Sequence, residues 1–355
     1  MKIGIPREIK ILEGRIALTP EAIRELVNMG HQVFVEQNAG VLSGYPDSDY
    51  RDAGAQLFDS AKAVYNSAKL IVKVKEPQTA ELKYLRKDHI LFSYLHLAAA
   101  EELTQALLKI GLTAIAFETV RHNEQLPLLA PMSDIAGRIA VQIGAHLLHQ
   151  PQGGRGILLG GVSNISDKEI EKGHVVILGG GTAGTGAAHI AAALGANVLV
   201  IDPNRDKQIL LESIGQNVST AFPNEEEIDK AVKQADLLIG AVLIPGAKAP
   251  HLVSAEQVKS MKAGSVIIDI SVDQGGCIET THPTDYENPT FTWEDVIHFG
   301  VTNMPGAVPR TSTQALSRVL LPYVARLGEA DWQSDTALNS GINLKNGEVI
   351  LETLA

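Results

Sequence analysis

The stretch that decides the fold is residues 175–202, VVILGGGTAGTGAAHIAAALGANVLVID. The β-forming residues 175–178 run into a glycine-rich turn, and an alanine-rich helical segment follows. Gly179 permits a tight turn, Gly181 lets a pyrophosphate approach the backbone, and Gly184 lets the helix pack against its strand. The pattern predicts a Rossmann unit whose helix N-terminus binds phosphate groups.

A carboxylate follows at the end of the second predicted strand. Asp202 lies 18 residues after Gly184, where it can accept hydrogen bonds from both ribose hydroxyls. A 2′-phosphate there would meet a like charge, so the sequence predicts NAD rather than NADP as the cofactor. The nearby cation Lys207 leaves dual specificity open. A tight strand–helix turn without a ligand is the alternative interpretation of the glycines.

Composition limits the class of protein. The chain has 355 residues, 45% hydrophobic and 20% charged, which is an ordinary globular balance, and this length predicts two domains. A net charge of -11 argues against nucleic acid or an anionic membrane as the main partner. The single cysteine, Cys277, excludes an internal disulfide framework and indicates a reducing compartment. No apolar run approaches the roughly 20 residues of a membrane span, and no signal-peptide core is present, so a cytoplasmic protein is expected.

Strand and helix patterns alternate along the chain, which predicts α/β domains with mostly parallel sheets. After a first strand over residues 2–5, a helix over 20–29 begins at Pro20 with Thr19 as its N-cap and is closed by Gly30. The other predicted strands are 31–36, 70–74, 90–94, 113–116, 175–178, 198–201, 237–239 and 266–270.

Two long amphipathic helices, over residues 133–150 and about 313–327, are predicted to link the domains. We expect a discontinuous α/β substrate domain that begins with residues 1–130. A Rossmann NAD-binding domain over 131–308 is inserted in it, and the chain returns to the substrate domain over 309–355. Two consecutive domains with no return are the alternative.

Several charged residues stand among apolar or small neighbours, a setting typical of functional sites but also of structural ion pairs. Taken singly, each has an ordinary structural interpretation: a salt bridge for the arginine, a satisfied core position for the histidine, or a solvated strand end for a lysine. These residues are Arg15 in EGRIALTP, Lys73 and Lys75 in IVKVKEP, His96 in LFSYLHLAAA, and Asp269 and Asp273 in VIIDISVDQGG.

Together with their flanking motifs, these residues resemble the L-alanine dehydrogenase family. The similarity runs in order from Met1 to about Leu327 and is expected to fade beyond it. The motifs that carry it are MKIGIPREIK, EGRIALTP, KVKEP, LHLAAA, PMSDIAGR, GGRGILLGGV, GGGTAG, GAVLIPGAKAP, DQGGC and NMPGAVPRTST.

The resemblance implies reversible, NAD-dependent oxidative deamination of L-alanine to pyruvate, ammonium and NADH. It assigns substrate binding to Arg15 and Lys75 and catalysis to His96 and Asp273, but no catalytic role to Asp269. Family members commonly form hexamers, so a homo-oligomer is expected. Besides the three glycines of the turn, the NAD contacts that the resemblance implies are Ser133, Thr182, Asp202, Lys207, Val242, Leu243, Asn303 and Met304.

The chemistry agrees with these roles. A guanidinium can hold the substrate carboxylate in bidentate fashion, and a lysine can polarise the carbonyl or imine. Asp273 would activate the water that attacks the imine, and His96 would exchange a proton with the substrate oxygen near neutral pH. Hydride delivery needs no metal, and the sequence has no clustered metal-ligand spacing, so no metal site is predicted.

Some positions depart from the family pattern. A serine expected after the third strand of the inserted domain falls near Pro223 or Asn224, and His282 replaces an expected basic residue, which should weaken phosphate binding modestly. Cys277 as a nucleophile is an alternative, but a small packed thiol is preferred because no covalent step is needed. The alternative functions are a same-fold dehydrogenase of another small amino acid, an NAD-binding coupling subunit of the transhydrogenase type, and a non-enzymatic NAD sensor.

Overall fold

The computed structural model describes residues 1–123, 125–162, 170–242 and 249–354. The chain divides into two compact units. The first unit is Met1–Met132 with Pro305–Ala355, and the second unit is Ser133–Met304. The sequence predicts domain boundaries after residues 130 and 308. The two units divide after Met132 and Met304.

The elements are numbered along the chain. The strands among the described residues are β1 Lys2–Ile5, β2 Gln32–Glu36, β3 Gln56–Phe58, β4 Leu70–Val72, β5 Ile90–Ser93, β6 Thr113–Ala116, β7 His174–Leu178, β8 Asn197–Ile201, β9 Val218–Ala221, β10 Leu237–Gly240, β11 Val266–Asp269, β12 Thr290–Trp293, β13 Val296–Phe299, β14 Ile342–Lys345 and β15 Glu348–Val349. The α-helices are α1 Pro20–Asn28, α2 Asp47–Asp52, α3 Ala61–Ser67, α4 Thr79–Leu82, α5 Glu101–Ile110, α6 Ala130–Leu147, α7 Thr182–Ala193, α8 Arg205–Glu212, α9 Glu225–Gln234, α10 Ala255–Lys259, α11 Pro309–Leu327 and α12 Thr336–Ser340.

The first unit is built on one eight-stranded sheet, in the order β15-β14-β6-β5-β4-β1-β2-β3. Strands β1 to β6 are parallel and follow the 3-2-1-4-5-6 order of a doubly wound fold, so the strand order reverses between β1 and β4. Strand β14 pairs antiparallel with β6, and β15 pairs antiparallel with β14. The C-terminal segment therefore completes the sheet that the N-terminal segment begins.

The second unit repeats the same plan with a seven-stranded sheet, in the order β12-β13-β11-β10-β7-β8-β9. Strands β7 to β11 and β13 are parallel, and the order reverses between β7 and β10. Only the edge strand β12 is antiparallel within this described sheet, and it forms a hairpin with β13. The predicted α/β class with a largely parallel sheet in each unit is confirmed.

Local sequence signals place the predicted helices well. Helix α1 begins at Pro20, the Thr19 hydroxyl accepts a hydrogen bond from the Ala22 N–H at 3.4 Å, and Gly30 follows with φ +88°. Both long helices begin earlier than predicted, at Ala130 for α6 and Pro309 for α11. Pro309 suits the first position of α11, because a backbone N–H in the first turn of a helix would have no partner within the helix and its absence costs nothing.

The strands at the sheet edges, together with β13 and β14 next to them, were not predicted from sequence. Strands β12 and β13 are joined by Glu294 and Asp295, which both have positive φ, 47° and 58°. Such a two-residue turn usually carries Asn-Gly or Asp-Gly, so Glu-Asp gives no sequence signal for a hairpin. Strands β3, β9, β14 and β15 are likewise short, and their pairing depends on tertiary neighbours.

The first unit contains a buried ionic cluster around Lys73, the residue that follows β4. The Lys73 ammonium lies 3.1 Å from Glu8 Oε2 and 2.9 Å from Glu81 Oε1. The Tyr65 hydroxyl donates to the same Glu81 oxygen at 2.9 Å. Burial alone would lower the pKa of Lys73, but the two carboxylates outweigh it and the pKa is raised. Lys73 is therefore a structural ion-pair residue.

Replacement of Lys73 by Ala should destabilise the first unit by about 3–5 kcal/mol, because it leaves two buried carboxylates without a counter-charge. Urea unfolding, followed by tryptophan fluorescence, measures this in a Trp293→Phe background, where Trp332 of the first unit is the sole tryptophan. Lys10→Ala is the matched control: Lys10 pairs with Glu76 near the surface, so its loss should cost about 1 kcal/mol or less. Equal losses of unfolding free energy in both variants would contradict the assignment of Lys73 as a buried structural ion pair.

Candidate active site

In the first unit, the loops after three parallel strands carry the predicted substrate and catalytic residues. Arg15 follows β1, Lys75 follows β4, and His96 follows β5. Because the strands are parallel, their carboxyl ends lie at one edge of the sheet, and β1 and β4 are neighbours at the point where the strand order reverses. Ligands of doubly wound sheets bind at such a point.

Arg15 is buried, with 2% of its surface exposed. Its Nε donates to Glu13 Oε1 at 2.7 Å, its Nη2 donates to Glu13 Oε2, and its backbone N–H donates to Glu13 Oε1 at 3.0 Å. Nη1 lies 3.2 Å from the Met132 sulfur. Burial opposes the charged form, but Glu13 prevails and raises the pKa of the guanidinium. Glu13 thus occupies the Nε–Nη2 edge and fixes the orientation of a permanent cation.

Lys75 is also buried, with 6% of its surface exposed. Its ammonium lies 3.8 Å from Glu76 Oε2, and Lys10 donates to Glu76 Oε1 at 2.6 Å. Burial raises the pKa of Glu76, but Lys75 and Lys10 outweigh that effect and the pKa is lowered. The segment is anchored one residue earlier, where Glu8 Oε1 accepts the Val74 N–H at 2.6 Å.

His96 adopts a left-handed backbone conformation, with φ +48°. Its N–H donates to Glu118 Oε1 at 2.6 Å, and the Leu95 N–H donates to the same oxygen at 3.1 Å. The half-buried ring stacks on Tyr94 at an interplanar angle of 14°. For comparison, His89 is a satisfied core histidine: one ring nitrogen lies 3.1 Å from the Arg86 N–H and the other lies 3.0 Å from the Tyr65 carbonyl oxygen.

In the second unit, the glycine-rich turn follows β7. Gly179 has φ +98°, a conformation that a side chain would strain. A Cβ on Gly184 would lie 1.8 Å from the Gly179 carbonyl oxygen, so α7 packs against the turn only because that residue is glycine. A Cβ on Gly181 would have no protein atom within 4 Å. The backbone at Gly181 therefore faces open space at the N-terminus of α7.

The Asp202 carboxylate lies beside that turn, at the end of β8. Its Oδ2 accepts the Gly180 N–H at 2.7 Å, and its Oδ1 accepts the Asn204 N–H at 2.8 Å. A carboxylate has about four acceptor positions, so the two oxygens keep capacity for hydroxyl donors. Lys207 is exposed in the first turn of α8, which Asn204 caps.

The structure places the remaining predicted dinucleotide contacts as follows. Ser133 is half-buried in α6, and Thr182 is exposed as the first residue of α7. Val242 exchanges two hydrogen bonds with the Ser271 hydroxyl, at 3.1 and 2.8 Å. Leu243 lies outside the described residues. Asn303 has φ +61°, and the carbonyl of the buried Met304 accepts a hydrogen bond from Tyr286 at 3.2 Å.

Asp273 is exposed in the 3₁₀ segment Ile270–Gln274, which follows β11. Its Oδ2 lies 3.4 Å from the Asn303 N–H, so both residues belong to the carboxyl edge of the second sheet. Cys277, which closes the same turn, is fully buried, and burial together with Asp269 raises the pKa of its thiol. A thiol held neutral in this way is a poor nucleophile, in agreement with the preferred structural interpretation.

Sequence analysis missed the carboxylates that hold these residues. Glu8, Glu13 and Glu118 each accept backbone N–H groups at a predicted site residue or next to one. Only Glu13 had an available signal, because it stands two residues before Arg15 in the EGR motif. Glu8 and Glu118 lie 66 and 22 residues from their partners, which only the folded sheet brings together.

Within the described ranges, no three His, Cys, Asp or Glu side chains are grouped so that they could hold a metal ion. Of the helices that the structure describes, none combines the length and the apolarity needed to cross a membrane.

Two family models match the chain. The model for "Alanine dehydrogenase/PNT, N-terminal domain" matches residues 4–136, and the model for the C-terminal domain matches residues 140–352. The chain belongs to the alanine dehydrogenase/PNT family. It therefore belongs to a family of dinucleotide-binding oxidoreductases.

Individual members of the family are similar over the full chain. An alanine dehydrogenase of Bacillus subtilis strain 168 is 50% identical over 361 residues, which cover 100% of this chain and 94% of that protein. A solved structure named L-alanine dehydrogenase has a TM-score of 0.93 at 51% identity and covers 100% of this chain and 98% of its own. A transhydrogenase from Sinorhizobium meliloti has a TM-score of 0.84 at 25% identity, with 99% of both chains covered.

One expectation is corrected by these matches. The similarity does not fade near Leu327, because the C-terminal family model extends to residue 352. In the structure this tail is part of the first sheet, because β14 pairs antiparallel with β6.

The Gly181 geometry gives a test of dinucleotide binding. Gly181→Ala should fold normally, because its Cβ meets no protein atom, yet it should weaken dinucleotide binding by about tenfold or more, because the methyl group occupies the phosphate approach. Calorimetric titration and thermal unfolding measure the two effects. Gly184→Ala is the matched variant and should lose both binding and stability. Unchanged affinity in Gly181→Ala would place the dinucleotide elsewhere.

Proposed function

We propose that the protein catalyses the reversible, NAD-dependent oxidative deamination of L-alanine to pyruvate, ammonium and NADH. The observation that carries this proposal is the 50% identity to an alanine dehydrogenase over the whole chain. The cations Arg15 and Lys75 lie at the carboxyl edge of the first sheet, which suits the carboxylate of an α-keto or α-amino acid. A homo-hexamer and a cytoplasmic location, both expected from the sequence, belong to the same proposal.

The residues of the second unit fit NAD. The open backbone at Gly181 and the N-terminus of α7 would hold the pyrophosphate, and the remaining acceptor capacity of Asp202 would hold the ribose hydroxyls. The negative charge of Asp202 favours NAD over NADP. Further contacts are assigned to Ser133, Thr182, Lys207, Val242, Leu243, Asn303 and Met304. When bound, NAD would supply the hydride acceptor for oxidation at the α-carbon of alanine.

The residues of the first unit prepare the substrate. Arg15, oriented by Glu13, holds the carboxylate of alanine or pyruvate. The Lys75 ammonium polarises the carbonyl or imine, so that negative charge developing on the substrate is stabilised in a buried, low-dielectric setting. Burial of both cations strengthens these interactions relative to water.

Proton transfer is assigned to two residues. Loss of hydride from alanine leaves an imine, which water must attack to give a carbinolamine. Asp273 accepts the proton of that water, and His96 exchanges a proton with the substrate oxygen as the carbinolamine collapses to pyruvate and ammonium. The left-handed backbone at His96, held by Glu118, fixes where its ring is presented.

A transhydrogenase-type coupling function is the second candidate, favoured by the similarity to the Sinorhizobium meliloti transhydrogenase structure. The two functions differ in whether pyruvate and ammonium oxidise the bound NADH. A coupling subunit binds NADH but does not oxidise it with pyruvate and ammonium.

The first experiment follows NADH absorbance in a mixture of pure protein, pyruvate and ammonium. We expect oxidation that requires both co-substrates and that is faster with NADH than with NADPH, because Asp202 repels a 2′-phosphate. NADH binding without oxidation would contradict the proposed function. Other α-keto acids, tested in parallel, define the substrate range.

His96→Ala should lower kcat by about two to four orders of magnitude, the usual contribution of a general acid or base, while NADH still binds. His31→Ala is the matched control, because His31 precedes β2 and lies at the amino edge of the same parallel sheet. Steady-state kinetics with pyruvate and ammonium measure both. Equal turnover in the two variants would show that His96 is an ordinary structural histidine.

A further inference from the structure

Asp269 is a buried carboxylate that the proposed mechanism does not use. It ends β11, and none of its surface is exposed. Its Oδ1 accepts the Ser271 N–H at 2.9 Å, and its Oδ2 accepts the Cys277 N–H at 2.9 Å and the Ile278 N–H at 3.3 Å. The Cys277 sulfur lies 3.7 Å from Oδ1.

These hydrogen bonds tie both ends of the turn that carries Asp273. Ser271 precedes Asp273 and Cys277 follows it, so one side chain holds the two flanks of residues 270–278. Gly276 reverses the chain with φ +78°, and a Cβ there would lie 3.0 Å from Asp269 Oδ2. The turn is therefore wrapped closely around the carboxylate.

The Asp269 carboxyl group accepts its hydrogen bonds in a buried site that disfavours a charge on it. Burial raises the pKa of its carboxyl group, because the ionised form loses hydration. The polar partners that the described residues offer it are backbone N–H groups and a thiol rather than a cation. A charged acceptor makes hydrogen bonds about twice as strong as a neutral one, which suits a role in fixing backbone geometry.

We propose that Asp269 is the positioning residue for Asp273, and that its carboxylate fixes the turn from which the Asp273 side chain reaches the reacting water. This inference rests on the proposed function, in which Asp273 accepts a proton from that water. With none of its surface exposed, Asp269 is not open to substrate or cofactor. It acts through the backbone of residues 270–278.

The variant Asp269→Asn tests the proposal. The amide keeps the shape of the side chain, but its nitrogen cannot accept an N–H, so one flank of the turn is released. We expect kcat to fall by about 10- to 100-fold, the effect of a catalytic group misplaced by about 1 Å. The KM for pyruvate should change by less than about threefold, because Arg15 and Lys75, the residues assigned to substrate binding, lie in the first unit and are untouched.

Asp236→Asn is the matched control. Asp236 is equally buried and accepts the His174 N–H at 2.9 Å, but it precedes β10, at the opposite end of the paired strands β10 and β11. It also pairs with Arg155 at 2.9 Å and Lys262 at 3.1 Å. This variant should lower the thermal unfolding temperature and leave kcat within about twofold of wild type.

A double-mutant cycle separates positioning from a general structural effect. Asp269→Asn should have no further effect on kcat in an Asp273→Asn background, measured in single turnovers with enzyme in excess so that slow variants remain readable. The proposal would be overturned if the kcat losses of Asp269→Asn and Asp273→Asn multiplied in the double variant. An unchanged kcat in Asp269→Asn, or an equal kcat loss in Asp236→Asn, would overturn it as well. Wild-type protein that fails to oxidise NADH with pyruvate and ammonium would instead overturn the proposed function, and this inference with it.

Discussion

In both units, buried or half-buried carboxylates accept backbone N–H groups from the loops that carry the proposed site residues. A loop that leaves the end of a strand loses its ladder partners, and its buried N–H groups need other acceptors. A carboxylate supplies two oxygens at once and makes the stronger, charge-assisted hydrogen bond. The carboxylates that act in this way are Glu8 on Val74, Glu13 on Arg15, Glu118 on Leu95 and His96, Asp202 on Gly180 and Asn204, and Asp269 on Ser271, Cys277 and Ile278.

The shared strand order explains why these loops gather. Each sheet runs outward in both directions from a central strand, β1 in the first unit and β7 in the second, and each reverses its order beside that strand. The connections on the two sides leave in opposite directions, which opens a crevice at the carboxyl edge. Loops that are far apart in sequence, such as those after β1 and β5, are thereby brought to one edge of the sheet. The strand order therefore determines where these loops lie, and the carboxylates that accept their N–H groups hold them in place.

The two buried lysines after β4, Lys73 and Lys75, have different surroundings. Lys73 lies between Glu8 and Glu81 and is a structural ion pair, whereas Lys75, two residues later, lies at the end of the same segment near Glu76. The two lysines look alike in VKVKEP, because alternation along an extended chain turns them towards similar faces. Glu8 connects the ion pair to the backbone of this segment, because it binds the Lys73 ammonium through one oxygen and the Val74 N–H through the other. A structural cluster therefore helps to fix the segment that presents a proposed substrate residue.

The sequence by itself determined the α/β class, the glycine turn with its carboxylate at Asp202, and the long helices to within a few residues. These features depend on neighbours in the chain: apolar periodicity, caps and the backbone freedom of glycine. The resemblance carried by long motifs supplied the reaction and the proposed site residues. The tertiary structure alone decided the edge strands, the pairing of β14 with β6 that draws the C-terminal segment into the first sheet, and the separation of Lys73 from Lys75. It also decided that Glu118 holds His96, a contact across 22 residues with no local pattern. The physical reason is that hydrogen-bond satisfaction of a buried N–H depends on which acceptor the fold brings near, and a sequence pattern does not record that distance.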